Sequence, residues 1–192
     1  MKTGIIILAA GNSSRLGKPK QLLSYKGKLL IEIVTEAVLE SNFEPIVVVL
    51  GANADLISKQ LKLDYIINDS WNEGISSSIA AGISALLEKE PDLENVILTV
   101  SDQAFITSNI FKALYNQKIS TGKGIIASSY KQTTGTPALF NKKYFHQLLA
   151  LQGNTGAKPI LKNNPEDIGT VEFELGYVDI DTEEDYNNLI KN

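Results

Sequence analysis

The sequence predicts an α/β protein with a mostly parallel sheet, and three observations carry that expectation. Short continuous apolar runs, "GIIILAA", "PIVVVLG" and "NVILTVSD", lack the alternation of a half-exposed strand and suit strands buried on both faces. Between them lie segments whose apolar residues recur at helical spacing. With 192 residues, 43% of them apolar and 21% charged, the chain can bury one substantial core.

Taken in order, "GIIILAA" (4–10) is the first strand. "KLLIEIVTEAVLES" (28–41) is a helix, with Leu30, Ile33, Val34, Ala37 and Val38 on one face. "PIVVVLG" (45–51), "ADLISKQL" (54–61) and "DYIIND" (64–69) follow as strand, short helix and brief strand. "SSSIAAGISALLEKE" (76–90) is a helix opened by serines, and "NVILTVSD" (95–102) a buried strand with a polar C-terminal end. "SNIFKALYNQ" (108–117) is a helix capped by Ser108 or Asn109, and "KGIIASSY" (123–130) another strand. The last third is less regular. "TTGTPALFNKKYFHQLLAL" (133–151) suggests a loop, a short strand and a helix, and "NTGAKPILKNN" (154–164) a short helix. "VEFELGYVDIDT" (171–182) alternates like one or two edge strands before a terminal helix, "EEDYNNLIKN" (183–192). No repeat, low-complexity tract or linker interrupts the chain, so residues 1–192 are expected to form a single domain.

Composition narrows the function. A net charge of −4 and a pI near 5.1 argue against wrapping nucleic acid. The absence of cysteine excludes disulfides, zinc–thiolate sites and thiol catalysis. The apolar stretch near the N-terminus is shorter than a signal-peptide core, and no run approaches the roughly 20 apolar residues of a membrane span. The expected address is the cytoplasm, with neither nucleic acid nor membrane as partner.

The most informative stretch is "LAAGNSSRLGKPKQLL" (8–23), directly after the first strand. Loops at the carboxyl ends of strands are where open α/β sheets bind ligands. It is not a Walker A loop, because five residues separate Gly11 from Gly17 and Pro19 replaces the hydroxyl that would hold a metal. It has no G-x-G-x-x-G spacing either. Gly11 lets backbone approach a ligand, consecutive N–H groups can form an anion nest, Arg15 offers a planar fork and Lys20 a point charge. On composition alone, a solvated basic loop would also account for it.

The spacing of this loop resembles the L-A-(A/G)-G-x-(S/G)-x-R-(M/L)-G-x-x-K-x-L pattern of nucleotidyltransferases, most of all the MobA/MocA-like enzymes that complete the molybdenum cofactor. The resemblance implies a Rossmann-like three-layer α/β/α fold of the nucleotide-diphospho-sugar transferase kind, with a small mixed C-terminal portion. It implies that Leu8, Ala9, Ala10, Gly11, Ser13, Ser14, Arg15 and Lys20 wrap the nucleotide, with Arg15 and Lys20 on its phosphates. "SDQ" places Asp102 where the family's metal-binding aspartate stands, Ala104 replacing the usual proline; on position alone Asp102 could equally be a turn or cap residue. "DIDTEEDY" resembles a late family segment, and Asp181 is the implied second Mg²⁺ ligand, although Asp181 or Thr182 could cap the last helix.

"NDSWNEGISSS" resembles the segment beside base and ribose, giving Gly74, Ser77 and Ser78; "TGTPALF" and "LQGNTGAK" resemble the acceptor side, giving Gly135, Pro137 and Lys158. Asn154 stands where that pattern has aspartate. The lone His146 falls among apolar helical positions and reads as structural or surface. Ala10, in "LAAG" rather than "LAGG", resembles the cytidylyltransferases. The expected catalytic residues are therefore Arg15, Lys20 and Asp102. The expected reaction is Mg²⁺-dependent transfer of CMP from CTP to Mo-molybdopterin, with a molybdenum hydroxylase as possible recipient of the product. The sequence leaves open GTP, a sugar or alditol phosphate acceptor, and a non-catalytic accessory protein.

Overall fold

The apolar runs become strands, and each buries the two faces its patterning calls for. A computed structural model describes residues 1–191. Its elements are β1 (Thr3–Ala9), a small hairpin of β2 (Ser24–Tyr25) and β3 (Lys28–Leu29), α1 (Leu30–Ser41), β4 (Ile46–Leu50), α2 (Ala54–Ile57) and β5 (Tyr65–Ile67). Then come α3 (Ile75–Lys89), β6 (Asn95–Val100), α4 (Ser108–Thr121), β7 (Ile125–Tyr130) and β8 (Thr133–Asn141). The chain closes with α5 (Phe145–Leu149), α6 (Lys158–Asn163), β9 (Ile168–Glu172) and α7 (Glu183–Lys191).

Seven strands form one sheet in the order β5-β4-β1-β6-β8-β7-β9. All neighbouring pairs are parallel except the two made by β8, which runs antiparallel between β6 and β7. The period of two along β1 divides the core. Ile6 and Leu8 face Ile79, Ile83 and Leu86 of α3 together with α5 and α6, whereas Ile5, Ile7 and Ala9 face Val34 and Val38 of α1 and Phe111 of α4. Each fully buried isoleucine or leucine contributes about 1.5–3 kcal/mol, so these two layers supply most of the driving force.

A third, smaller core lies under the 10–29 segment: Leu16, Leu23, Tyr25, Leu30, Ala104, Ile180 and Leu189. It fastens the loop after β1 to the turn after β6 and to α7.

Several local expectations are corrected. Residues 133–141 are not a loop and a short strand but one nine-residue strand in the sheet interior. The "VEFELGYVDIDT" region holds only the end of edge strand β9, followed by a 3₁₀ turn over Glu174–Tyr177. The cap of α4 is Thr107, one residue ahead of Ser108 and two ahead of Asn109, with extended backbone and no side-chain capping bond. Asn192, the last residue of the expected terminal helix, lies outside the described residues.

The edge strand β9 is pinned far from the strand ends that matter below. The Asp167 carboxylate accepts from Gly124 N at 2.9 Å and Tyr144 Oη at 2.6 Å, and pairs with Lys143 Nζ at 2.6 Å. Burial pushes this carboxyl up, but the bonds from Lys143, Tyr144 and Gly124 outweigh it and hold it down at about 2. Burial and then the same carboxylate push Tyr144 up to about 12. An acid with a depressed folded value stabilises the protein above its unfolded value, and that contribution is lost as pH falls through the folded one. Asp167 is therefore expected to contribute up to about 2 kcal/mol at neutral pH, lost between about pH 4 and pH 2. In Asp167→Asn, denaturant melts should show a shallower loss of stability over that acid window; the same slope as wild type would refute the assignment.

Candidate active site

The strand order reverses beside β1: β4 lies on one side, β6 on the other, and the crevice opens at their carboxyl ends. Leu8 pairs with Val100 across this seam, and Ser101 N donates to Leu8 O at 3.2 Å. Register thus sets the loop after β1 beside Asp102.

Within that loop, Ser13 takes a positive φ of 52° and Gly17 one of 71°; Leu16 N and Gly17 N both donate to Ser13 O, making a tight turn that buries Leu16. Ser13 Oγ accepts from Lys20 N at 3.1 Å. Gly11 and Ser14 are exposed.

The charged groups converge on Lys20. Its Nζ lies 2.5 Å from Asp102 Oδ2, 3.3 Å from Asp181 Oδ1 and 3.9 Å from Asp179 Oδ1, and Arg15 donates to the other oxygen of Asp181. Burial works against the Lys20 charge, but Asp102, then Asp179 and Asp181, outweigh it and hold the ammonium above the usual lysine value. Asp179 is lifted by desolvation and by the nearby Asp102 carboxylate, against the pull of Lys20. The cap question resolves in favour of Thr182. Its N–H donates to Asp185 Oδ2 at 2.8 Å while Asp185 N donates to Thr182 Oγ1 at 3.2 Å, a reciprocal capping pair that leaves Asp181 facing Arg15 and Lys20.

Two clefts meet here. The smaller, about 510 Å³, is lined by Ala10, Gly11, Lys20, Gly74, Ser78 and Asp102, together with Gln21, Trp71 and Asn72. The larger, about 830 Å³, has an apolar floor of Ile79, Leu98, Ala138, Phe140 and Leu161, with Gly135, Lys158, Lys162, Tyr130 and Tyr177 around it. Leu8, Lys20, Asp102 and Asn154 line both, so the lysine–aspartate pair stands at the junction.

Most of the expected residues thus come together, with exceptions. Ser77 turns elsewhere, its hydroxyl donating to Ser70 O at 2.9 Å or Gly74 O at 2.8 Å and accepting from Asn68 Nδ2. Ser78 lines the smaller cleft but also accepts from Asn68 Nδ2 at 3.0 Å. Pro137 is buried in β8, where its carbonyl accepts from Ser128 Oγ at 2.7 Å. Ala9 is buried at the end of β1. His146 is exposed on α5 and lines neither cleft. Ala104, at the proline position, packs into the third core.

Sequence reasoning passed over Gln21, Asn72 and Tyr130. Tyr130 carried no local signal; Gly135 is small because a Cβ there would meet Tyr130 Oη at 2.0 Å. Gly74 is required similarly: its φ is +112°, and a Cβ would lie 2.5 Å from the Gly153 backbone. Trp71 is half-buried in the cleft wall, over Gly51.

A mostly parallel sheet with a basic glycine loop over its switch point, facing a strand-end carboxylate, defines an enzyme that handles nucleotide phosphates. Residues 5–168 match the MobA-like NTP transferase domain, and the chain belongs to that family of nucleotidyltransferases. It is 27% identical over 200 residues to nicotine blue oxidoreductase of Paenarthrobacter nicotinovorans, covering 96% of this chain and 95% of that protein. It is 25% identical over 187 residues to the molybdenum cofactor cytidylyltransferase of Escherichia coli K12, covering 94% and 92%. Among solved structures, Rv0371c of Mycobacterium tuberculosis H37Rv superposes with a TM-score of 0.87 at 21% identity over 100% of this chain and 98% of that one. The manganese complex of Rv0371c superposes at 0.83, with 20% identity and full coverage of both chains. No helix of the described residues is long and apolar enough to cross a membrane.

Proposed function

We propose that the chain is a single nucleotidyltransferase domain, working in the cytoplasm, that transfers CMP from CTP to Mo-molybdopterin and releases pyrophosphate. The observation that carries this reading is the pair of clefts sharing Lys20 and Asp102: one suits a nucleotide, the other an acceptor, and the shared residues stand where the two would meet. An apolar floor favours a flat heterocyclic acceptor over a sugar or alditol, whose hydroxyls would be left without partners there. The similarity to the E. coli cytidylyltransferase supports CTP, as does Ala10.

Divalent metal fits the donor set. Asp102 and Asp181 both direct carboxylate oxygens at Lys20 Nζ, so the two stand close enough to share a cation, and hard cations prefer oxygen. No group of three acidic, histidine or cysteine side chains among the described residues could hold a metal. Mg²⁺ usually takes one or two carboxylates and fills its shell with phosphate oxygens and water. The manganese complex of Rv0371c supports divalent metal use in this fold. When bound, Mg²⁺ would neutralise charge on the triphosphate.

In the proposed reaction an acceptor phosphate oxygen attacks the α-phosphorus in line; the new P–O bond forms as the bond to pyrophosphate breaks and its electron pair leaves with pyrophosphate. No general base is needed, because the nucleophile is already anionic. Lys20 and Arg15 hold phosphate oxygens and offset charge as it develops, and the N–H groups of the loop fix the triphosphate. A molybdenum hydroxylase is the proposed recipient of the product. The test is pyrophosphate release from CTP and from GTP, each with and without Mo-molybdopterin. Release with CTP that requires the acceptor is expected. Release with GTP alone, or with a sugar phosphate in place of molybdopterin, would replace this reading; release under no condition would favour an accessory protein.

A further inference from the structure

Gln21 is only 1% exposed and follows the partly buried Lys20 in a 3₁₀ turn (Lys20–Leu22). Its Nε2 donates to Ala9 O at 3.1 Å and to Gly11 O at 3.2 Å, using both amide hydrogens on the two ends of the glycine turn. Its Oε1 is buried and has no hydrogen-bond partner, and the residue lines the smaller cleft. Turning the amide over to rescue Oε1 would set it against two carbonyl oxygens, so the orientation is fixed. A protein that leaves a buried acceptor without a donor gives up about 1–3 kcal/mol, which points to a return elsewhere.

The planar trans peptide supplies it. In each peptide unit the N–H points opposite to the C=O. Holding the Ala9 and Gly11 carbonyls toward one amide therefore turns the Ala10 and Asn12 N–H groups the other way, both in one direction. Ala10, Gly11 and Asn12 all line the cleft.

We propose that Gln21 is the positioning residue of the loop after β1: by clamping the Ala9 and Gly11 carbonyls it aligns the loop's N–H groups on the β- and γ-phosphates of the bound nucleoside triphosphate. The inference rests on the nucleotide reading of the smaller cleft. Gln21 touches no reacting atom; it acts through the backbone that it holds. Its loss should weaken grip on the outer phosphates and leave the nucleoside monophosphate portion alone.

Trp71, the sole tryptophan, lines the same cleft, so its fluorescence is the readout chosen for binding. CTP and CMP, and GTP and GMP, are titrated with magnesium present into wild type, Gln21→Met and Gln21→Glu. Met keeps the length without donors; Glu keeps the shape but sets acceptors against the two carbonyls. Wild type is expected to bind triphosphate more tightly than monophosphate. In both variants triphosphate affinity should fall about tenfold or more, with monophosphate affinity within about threefold of wild type. Turnover should show a raised KM for the nucleotide with kcat changed less than KM. An equal loss for both nucleotides, an unchanged ratio, or failure of both variants to fold would overturn the proposal and leave Gln21 a structural residue. A wild type that binds no nucleotide, or fails to distinguish the two, would instead overturn the nucleotide reading itself.

Discussion

Asp102→Ala is expected to lower pyrophosphate release from CTP about 100-fold or more at saturating nucleotide and Mg²⁺, equivalent to about 2.7 kcal/mol of transition-state stabilisation. The residue sits at the end of β6, buried with 9% of its side chain exposed, and shares the cleft junction with Lys20. An oxygen donor at that point serves both halves of the reaction: it would hold the metal, and it holds the lysine. Asp102→Asn separates the two duties. The amide keeps the shape and one neutral oxygen, so it should retain the fold while losing most of the activity. Turnover near wild type in Asp102→Ala would remove Asp102 from the mechanism.

Lys20→Met is expected to be the other variant with a large effect, and to act twice. Turnover should fall about 100-fold or more, because a fixed positive charge beside the developing phosphate charge is lost. Stability should fall as well. The ammonium is the common partner of three carboxylates, and removing one member of a buried pair strands the other. A loss of about 1–3 kcal/mol is expected, less than breaking a wholly buried pair would cost, because Asp181 is partly exposed and keeps Arg15. Adding Asp102→Asn should restore much of the stability and none of the activity. If the double variant is no more stable than Lys20→Met, the carboxylates do not depend on Lys20.

The parts of this architecture that were legible are those whose signal is local. β1, β4 and β6 announce themselves because strands covered on both faces must be apolar at every position. The basic loop is legible because its chemistry lies within thirteen consecutive positions, from Leu8 to Lys20. β8 was not. Its first half, "TTGTP", carries glycine, proline and three threonines; it pairs only with β7, beyond a register shift between Ala127 and Ser128. No periodicity marks such a segment as a strand in the interior of a sheet. Ser77 misled for a related reason: a serine at a helix start looks the same whether its hydroxyl faces a ligand or a backbone carbonyl. The convergence of Arg15, Asp102 and Asp181 was implied only by the family resemblance; no local pattern carries it, because it depends on the third core. Leu16, Ala104 and Ile180 pack together, and each stands within two residues of one of the three charges.

The place of β8, antiparallel between β6 and β7, decides which half of the chain builds which cleft. The smaller cleft draws on β1, the turn before α3 and the end of β6, all within the first 102 residues apart from Asn154. The larger cleft adds Gly135, Ala138 and Phe140 from β8 and Lys158 and Leu161 from α6 to Ile79 and Leu98 of the front half. The seam between β6 and β8 therefore joins a front half that supplies every wall of the smaller cleft but Asn154 to a back half that completes the larger one.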